Sequence, residues 1–112
     1  MYPKEMQERM MREMFKEKLR LVTRGNPGWE TNIRRYGQTA EFFLGLLIEQ
    51  EFCCGICVAN LEIVEWDIDH CHTLDDARVR GALCKSCNTW LGKREGMIKQ
   101  AWRYLKLTKK EG

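Results

Sequence analysis

The sequence predicts a small α+β domain, a short β-hairpin stapled by a metal ion with helices before and after it. Three observations carry that prediction. The chain has 112 residues, one domain's worth. Four of its six cysteines form two Cys-x-x-Cys pairs, Cys54/Cys57 and Cys84/Cys87. Apolar residues recur at helical spacing outside those pairs, whereas a β-branched run between them alternates.

Taken in chain order, residues 4–23 read as a helix in which Met6, Met10, Met14, Leu19 and Val22 keep helical spacing. Methionines in such a stripe are ordinarily adaptable packing. Gly25-Asn26-Pro27-Gly28 breaks the pattern, and residues 29–38 are too weakly patterned to assign. Thr39 is a suitable N-cap for a second helix from Ala40 to about Gln50, with Glu41 near its positive end. Phe42, Phe43, Leu44, Leu46, Leu47 and Ile48 make this helix apolar nearly all round, so it is expected to be buried in the core or against another subunit. The run Ile63–Ile68 reads as a strand, Leu74–Arg78 as a loop, and Val79–Leu83 as a second strand pairing back. A helix from about Ser86 to Lys93 follows. The last segment reads as a separate amphipathic helix with Ile98, Ala101, Trp102 and Leu105 on one face. The chain therefore divides into a basic helical extension (1–35), a metal-stapled core (36–96) and a basic amphipathic helix (97–112).

Composition narrows the class. Charged residues make up 31% and hydrophobic ones 44%, which fits a soluble globular domain and excludes a disordered one. No stretch has the ~20 apolar residues that a membrane span needs. The N-terminus lacks the apolar core of an export signal, so an intracellular, cytoplasmic location is expected. Net charge is +3, but it is unevenly placed: +4 over residues 1–35, −7 over 36–84 and +6 over 85–112. Basic ends around an acidic centre suit a protein that grips a polyanion with its flanks and holds cations in its middle. Solvated basic helix faces would give the same count.

A chain this small often needs a metal or disulfides to supplement its core. Long helical patterns and the lack of an export signal argue against a disulfide framework, and paired Cys-x-x-Cys knuckles have the spacing of a closed tetrahedral zinc site. Cys54, Cys57, Cys84 and Cys87 are therefore the expected structural Zn²⁺ ligands, with Cys53 and Cys71 as unligated thiols. Residues 58–83, between the pairs, are more than a minimal zinc ribbon requires and leave room for a hairpin.

That hairpin carries Asp69-His70-Cys71-His72. These residues could be ordinary polar residues at an exposed strand end. They could also bind a second zinc through His70, Cys71 and His72, although neighbours on a strand point to opposite faces. The third reading is catalytic and uses Asn88, directly after the last cysteine. One carboxylate and one amide oxygen form a sparse hard-oxygen site suited to Mg²⁺, which keeps waters and takes further ligands from phosphate. A histidine beside it can accept a proton from water near neutral pH. Cys87 and Asn88 lie ~100° apart on a helix, so one can face zinc while the other faces the hairpin.

The stretch from about Tyr36 to Gly96 resembles the recombination endonuclease VII family, within the wider HNH (ββα-metal, His-Me finger) nucleases. The matching residues are the apolar helix ending in Glu49-Gln50, Cys54-Gly55-Ile56-Cys57, Asp69-His70-Cys71-His72, the run from Val79 to Asn88, and Leu91-Gly92. The resemblance implies a zinc-stapled ββα-metal core in which Asp69 and Asn88 bind a catalytic Mg²⁺ or Mn²⁺ and His70 is the general base. It makes His72 an accessory phosphate or leaving-group contact and sets Arg80 near the DNA backbone. Lys85, Lys93 and Arg94, around the second knuckle, complete the expected DNA contacts. Cys71 stands where family members often have Asp. DNA, branched in the family's case, is the implied substrate, with no membrane partner and a homodimer built through helices.

Three functions compete on this sequence: a metal-dependent DNA endonuclease, a zinc knuckle that binds nucleic acid without cutting it, and a zinc-stapled protein-interaction domain using helix 40–50. The Asp69/His70/Asn88 trio favours the first, because a pure binder has no reason to assemble it.

Overall fold

The computed structural model describes residues 3–71 and 78–111. Residues 74–77 of the expected loop Leu74–Arg78 lie outside those residues, as does His72. Four helices, a two-stranded antiparallel hairpin and a long C-terminal helix follow one another: α1 (Lys4–Met14), α2 (Lys16–Thr23), α3 (Trp29–Arg35), α4 (Ala40–Glu49), β1 (Trp66–His70), β2 (Val79–Cys84) and α5 (Lys85–Glu111). The small α+β class read from the sequence is the class observed.

Helix α4 forms where its N-cap predicts. Thr39 accepts a hydrogen bond from the Phe42 backbone N–H at 3.1 Å, satisfying one of the donors that a helix start leaves open. Ala40, Phe43, Leu44 and Leu47 form its buried face, while Phe42 is exposed. Beyond the helix, Glu51 and Phe52 both take left-handed backbone angles, with φ of 56° and 57°. Such geometry costs roughly 1–3 kcal/mol per residue. It is held by the Phe52 N–H on the Leu47 carbonyl at 2.8 Å and by burial of the Phe52 ring, whose centroid lies 5.6 Å from that of Phe15.

Trp66, on β1, is the hub of the core. Its indole N–H donates to the Val22 carbonyl at 2.8 Å, and its ring stacks on Phe43, which in turn packs on Trp29. The turn after α2 closes directly onto this residue. A Cβ on Gly25 would lie 2.5 Å from the Val64 carbonyl oxygen and 2.7 Å from Trp66 Cδ1, so glycine is required there for the approach. Residues 1–35 thus add Val22, Trp29 and Ile33 to the same core as the hairpin.

Four local expectations are revised. The N-terminal helix is two helices, divided at Phe15 (φ −106°, ψ 13°); packing on Phe52, not a Gly or Pro, marks the division. Residues left unassigned contain α3, which buries Trp29 and Ile33 one turn apart. The first strand lies at Trp66–His70 rather than Ile63–Ile68, because it must pair with β2; Ile63 is exposed in a turn. The two C-terminal helices are one, α5, running through Gly92 and Gly96. A mid-helix glycine weakens a helix by ~1 kcal/mol relative to alanine but does not break it.

A side chain supports the hairpin's outer edge. Gln50 Nε2 donates to the carbonyls of Ala82 and Cys53, both at 2.8 Å, and its Oε1 accepts from the Ala82 N–H at 2.9 Å. The Gln50 amide therefore pairs with β2 as the peptide of a third strand would. It needs Gly81 beside it, since a Cβ there would sit 2.1 Å from Oε1.

Candidate active site and metal centre

The chain passes from β2 into α5 without a connecting loop, so Cys84 ends the strand and Cys87 sits in the first helical turn. The other pair lies on a tight knuckle, where the Val58 N–H reaches the Cys54 carbonyl at 3.1 Å and the Cys54 N–H reaches Ala59 at 2.8 Å. Together these elements bring the sulfurs of Cys54, Cys57, Cys84 and Cys87 within 4.8 Å of one another. A tetrahedral zinc with ~2.3 Å bonds to sulfur separates its thiolates by about 3.8 Å; Cys57 and Cys84 sulfurs are 3.8 Å apart. The four cysteines therefore fit a zinc ion. All six cysteines are free thiols.

Electrostatics at this cluster are graded. Burial pushes the Cys54 thiol up, but backbone N–H groups of Cys57, Cys84 and Ile56 converge on its sulfur and outweigh burial, bringing it down to about 6. Burial, then contact with the neighbouring sulfurs of Cys84, Cys57 and Cys54, pushes Cys87 up to about 12. N–H donors aimed at a sulfur stabilise its thiolate, the form that binds metal.

The face of the hairpin toward α5 carries the polar site. Trp66 and Ile68 of β1 face the core, while the alternating positions Asp67 and Asp69 face α5. Asp69 is buried, at 8% exposure. Arg80 holds it in a two-pronged grip: Nε donates to one carboxylate oxygen at 2.8 Å and Nη2 to the other at 3.0 Å. The third guanidinium nitrogen, Nη1, pairs with Glu95 on α5. A register shift explains how Arg80 reaches Asp69. Asp69 pairs with Gly81 and His70 with Val79, so Arg80 is the extra residue of a β-bulge, a device that re-aims a side chain. Hydrogen bonding to Asp69, then to Glu95, raises the guanidinium pKa further despite partial burial.

Asn88 lies in the first turn of α5. Its amide nitrogen donates to Asp67 Oδ2 at 3.1 Å. Because an ionised carboxylate only accepts, Asp67 fixes which way the Asn88 amide faces and leaves the carbonyl oxygen as the group available to a hard cation. Lys85 Nζ takes the other Asp67 oxygen at 2.9 Å, and that contact raises the lysine pKa. The structure thus joins Asn88 to Asp67 and Asp69 to Arg80, two adjacent pairs on one face of the hairpin. Oxygen donors of this kind suit Mg²⁺ or Mn²⁺ chemically.

His70 follows the bulge at the end of β1. Its imidazole packs on the ring of Tyr36, centroids 4.5 Å apart and planes tilted by 31°. Lys93 is exposed on α5, and Arg94 lies over the Trp90 ring at 5.4 Å. A groove of about 430 Å³ runs beside Asp69 and Arg80, walled by Gln50, Gly55, Leu91, Glu95 and Lys99 among others.

Four contributors to the site were given no role in it from sequence: Asp67, Tyr36, Gln50 and Glu95. Asp67 had a signal, since it shares strand parity with Asp69. Glu95 had a weaker one, lying two turns from Asn88 on a helix. Tyr36 and Gln50 act across the fold, and no local pattern marks their roles.

A family model described as recombination endonuclease VII matches residues 30–107, which takes in α3 to most of α5. No curated protein and no solved structure matches significantly. Among the described residues, no helix is long and apolar enough to cross a membrane.

Proposed function

The chain belongs to the recombination endonuclease VII family, and on that premise we propose that it is an HNH-type, metal-dependent endonuclease that hydrolyses phosphodiester bonds in DNA. The observation that carries this reading is the Asn88–Asp67 contact. It brings the start of α5 against the strand that holds Asp69 and His70, as a one-metal site on a hairpin and helix requires.

Asp69 and Asn88 are the proposed ligands of Mg²⁺ or Mn²⁺. When bound, that ion supplies charge neutralisation to the crowded phosphate and to the departing 3′-oxygen. His70 acts as general base, taking the proton of the attacking water on an imidazole nitrogen. Tyr36, stacked on the ring, restricts its orientation. In-line attack leaves 5′-phosphate and 3′-hydroxyl ends. Arg80, Lys85, Lys93 and Arg94 supply positive charge along the backbone of the bound DNA, and His72 keeps its proposed role as an accessory phosphate contact. The zinc cluster takes no part in the chemistry. It fixes the helix start that presents Asn88.

Branched DNA as the preferred substrate follows from the family resemblance. A homodimer through helices is supported by α5, where Ile98, Trp102 and Leu105 are exposed. Cleavage of matched linear, nicked and four-way-junction DNA, with Mg²⁺ added or withheld, tests the proposal. Mg²⁺-dependent cuts are expected, with the junction cut fastest. Salt-sensitive binding without any cleavage would favour a non-catalytic zinc-knuckle module instead.

A further inference from the structure

Arg80 has three committed nitrogen atoms and sits between two acids of different character. Asp69 is buried on the strand; Glu95 comes from α5 and shares the outer nitrogen. A carboxylate as enclosed as Asp69 needs a compensating cation, and the bulge aims the Arg80 guanidinium at both of its oxygens. A divalent ion at Asp69 would have to take at least one of those oxygens, and it would repel the guanidinium at this range. Both cations cannot occupy the carboxylate in full.

We propose that Arg80 is a resident counter-cation of Asp69 that gives way to the divalent metal ion, with Glu95 as the post to which it withdraws. The inference rests on the reading of Asp69 as a metal ligand. The exchange has two consequences. Metal affinity is set by competition with an internal cation, so it is weaker than the oxygen ligands alone would give. Withdrawal also frees the Nε and Nη2 donors at the mouth of the groove beside Leu91 and Lys99, where a DNA phosphate can take them in the bidentate manner arginine favours. Metal and phosphate then bind with positive cooperativity, and by linkage each must tighten the other equally.

Mn²⁺ affinity, measured on zinc-loaded protein by the paramagnetic resonance signal of free Mn²⁺, tests this without any turnover. Arg80→Met should bind Mn²⁺ about tenfold more tightly or better, because the competitor is gone. Glu95→Gln should bind it more weakly, since the arginine then has no alternative partner. Arg80→Met also strands a buried carboxylate and could fail to fold. Arg80→Lys keeps a cation without the fork and should fall between wild type and Arg80→Met. Asp69→Asn is the control for the premise. Loss of Mn²⁺ binding in Asp69→Asn together with unchanged or weaker binding in Arg80→Lys and Arg80→Met would overturn the exchange and leave the metal site standing. Full Mn²⁺ binding in Asp69→Asn would instead remove the premise.

Discussion

Arg80 grips both carboxylate oxygens of Asp69, at 2.8 and 3.0 Å, from a bulged position on the neighbouring strand. The family resemblance sets Arg80 near the DNA backbone and leaves Asp69 to the metal. In the fold the two residues are partners, and the acid at the centre of the proposed site is already neutralised by its own chain.

Zinc removal should dissolve the hairpin rather than merely silence it. The four sulfurs join the knuckle, the end of β2 and the start of α5, and such sites contribute folding free energy outright. Prolonged chelation, or Cys84→Ser, is expected to abolish the cooperative thermal transition read through Trp66, which is 1% exposed. An unaltered melt in zinc-free protein would contradict this.

Gln50→Ala should destabilise the fold. It removes three hydrogen bonds and leaves the Ala82 N–H without its Gln50 partner at a buried position. A stranded buried polar group costs about 1–3 kcal/mol, which urea titration can resolve. Gly81→Ala should do similar damage, because its Cβ meets the Gln50 amide.

Asp67→Ala should lower cleavage while zinc content holds. Asp67 orients Asn88 and also pairs with Lys85, and loss of such an outer partner of a metal ligand typically costs about 10–100-fold in metal affinity or activity. The drop should appear as a raised Mg²⁺ requirement. A variant that keeps the wild-type Mg²⁺ dependence would remove Asp67 from the account.

Tyr36 offers a test of His70 placement. Tyr36→Phe keeps the ring on the imidazole and should cleave nearly normally, whereas Tyr36→Ala should lose about tenfold in turnover at unchanged DNA affinity. Equal losses in both variants would point to the hydroxyl instead of the stack.

How far the sequence was legible follows from what each signal depends on. Helix α4 was readable because the Thr39 cap and a continuous apolar run agree over a short span, and β2 because the segment before the second knuckle had to pair back on the hairpin. The four-cysteine cluster was readable because its paired spacing is what a tetrahedral metal site requires. Helix α3 was not, since Trp29 and Ile33 are two apolar positions in a polar stretch. The division at Phe15 depends on a ring 37 residues away in sequence, Phe52. Ile63 and Val64 have strand-forming side chains, but pairing to β2 decides where β1 lies. Within the site, Asp69, His70 and Asn88 came from a motif. The bulge that turns Arg80 onto Asp69 is a matter of register between two strands, and no single-strand pattern encodes it.

His70 is the proposed general base of a DNA-cleaving site. The most direct measurement is the Mg²⁺-dependent cleavage rate of His70→Ala on four-way-junction DNA, alongside its zinc content and DNA affinity. The rate should fall by about two to four orders of magnitude, with zinc and DNA binding unchanged. Cleavage at the wild-type rate would exclude His70 as the base.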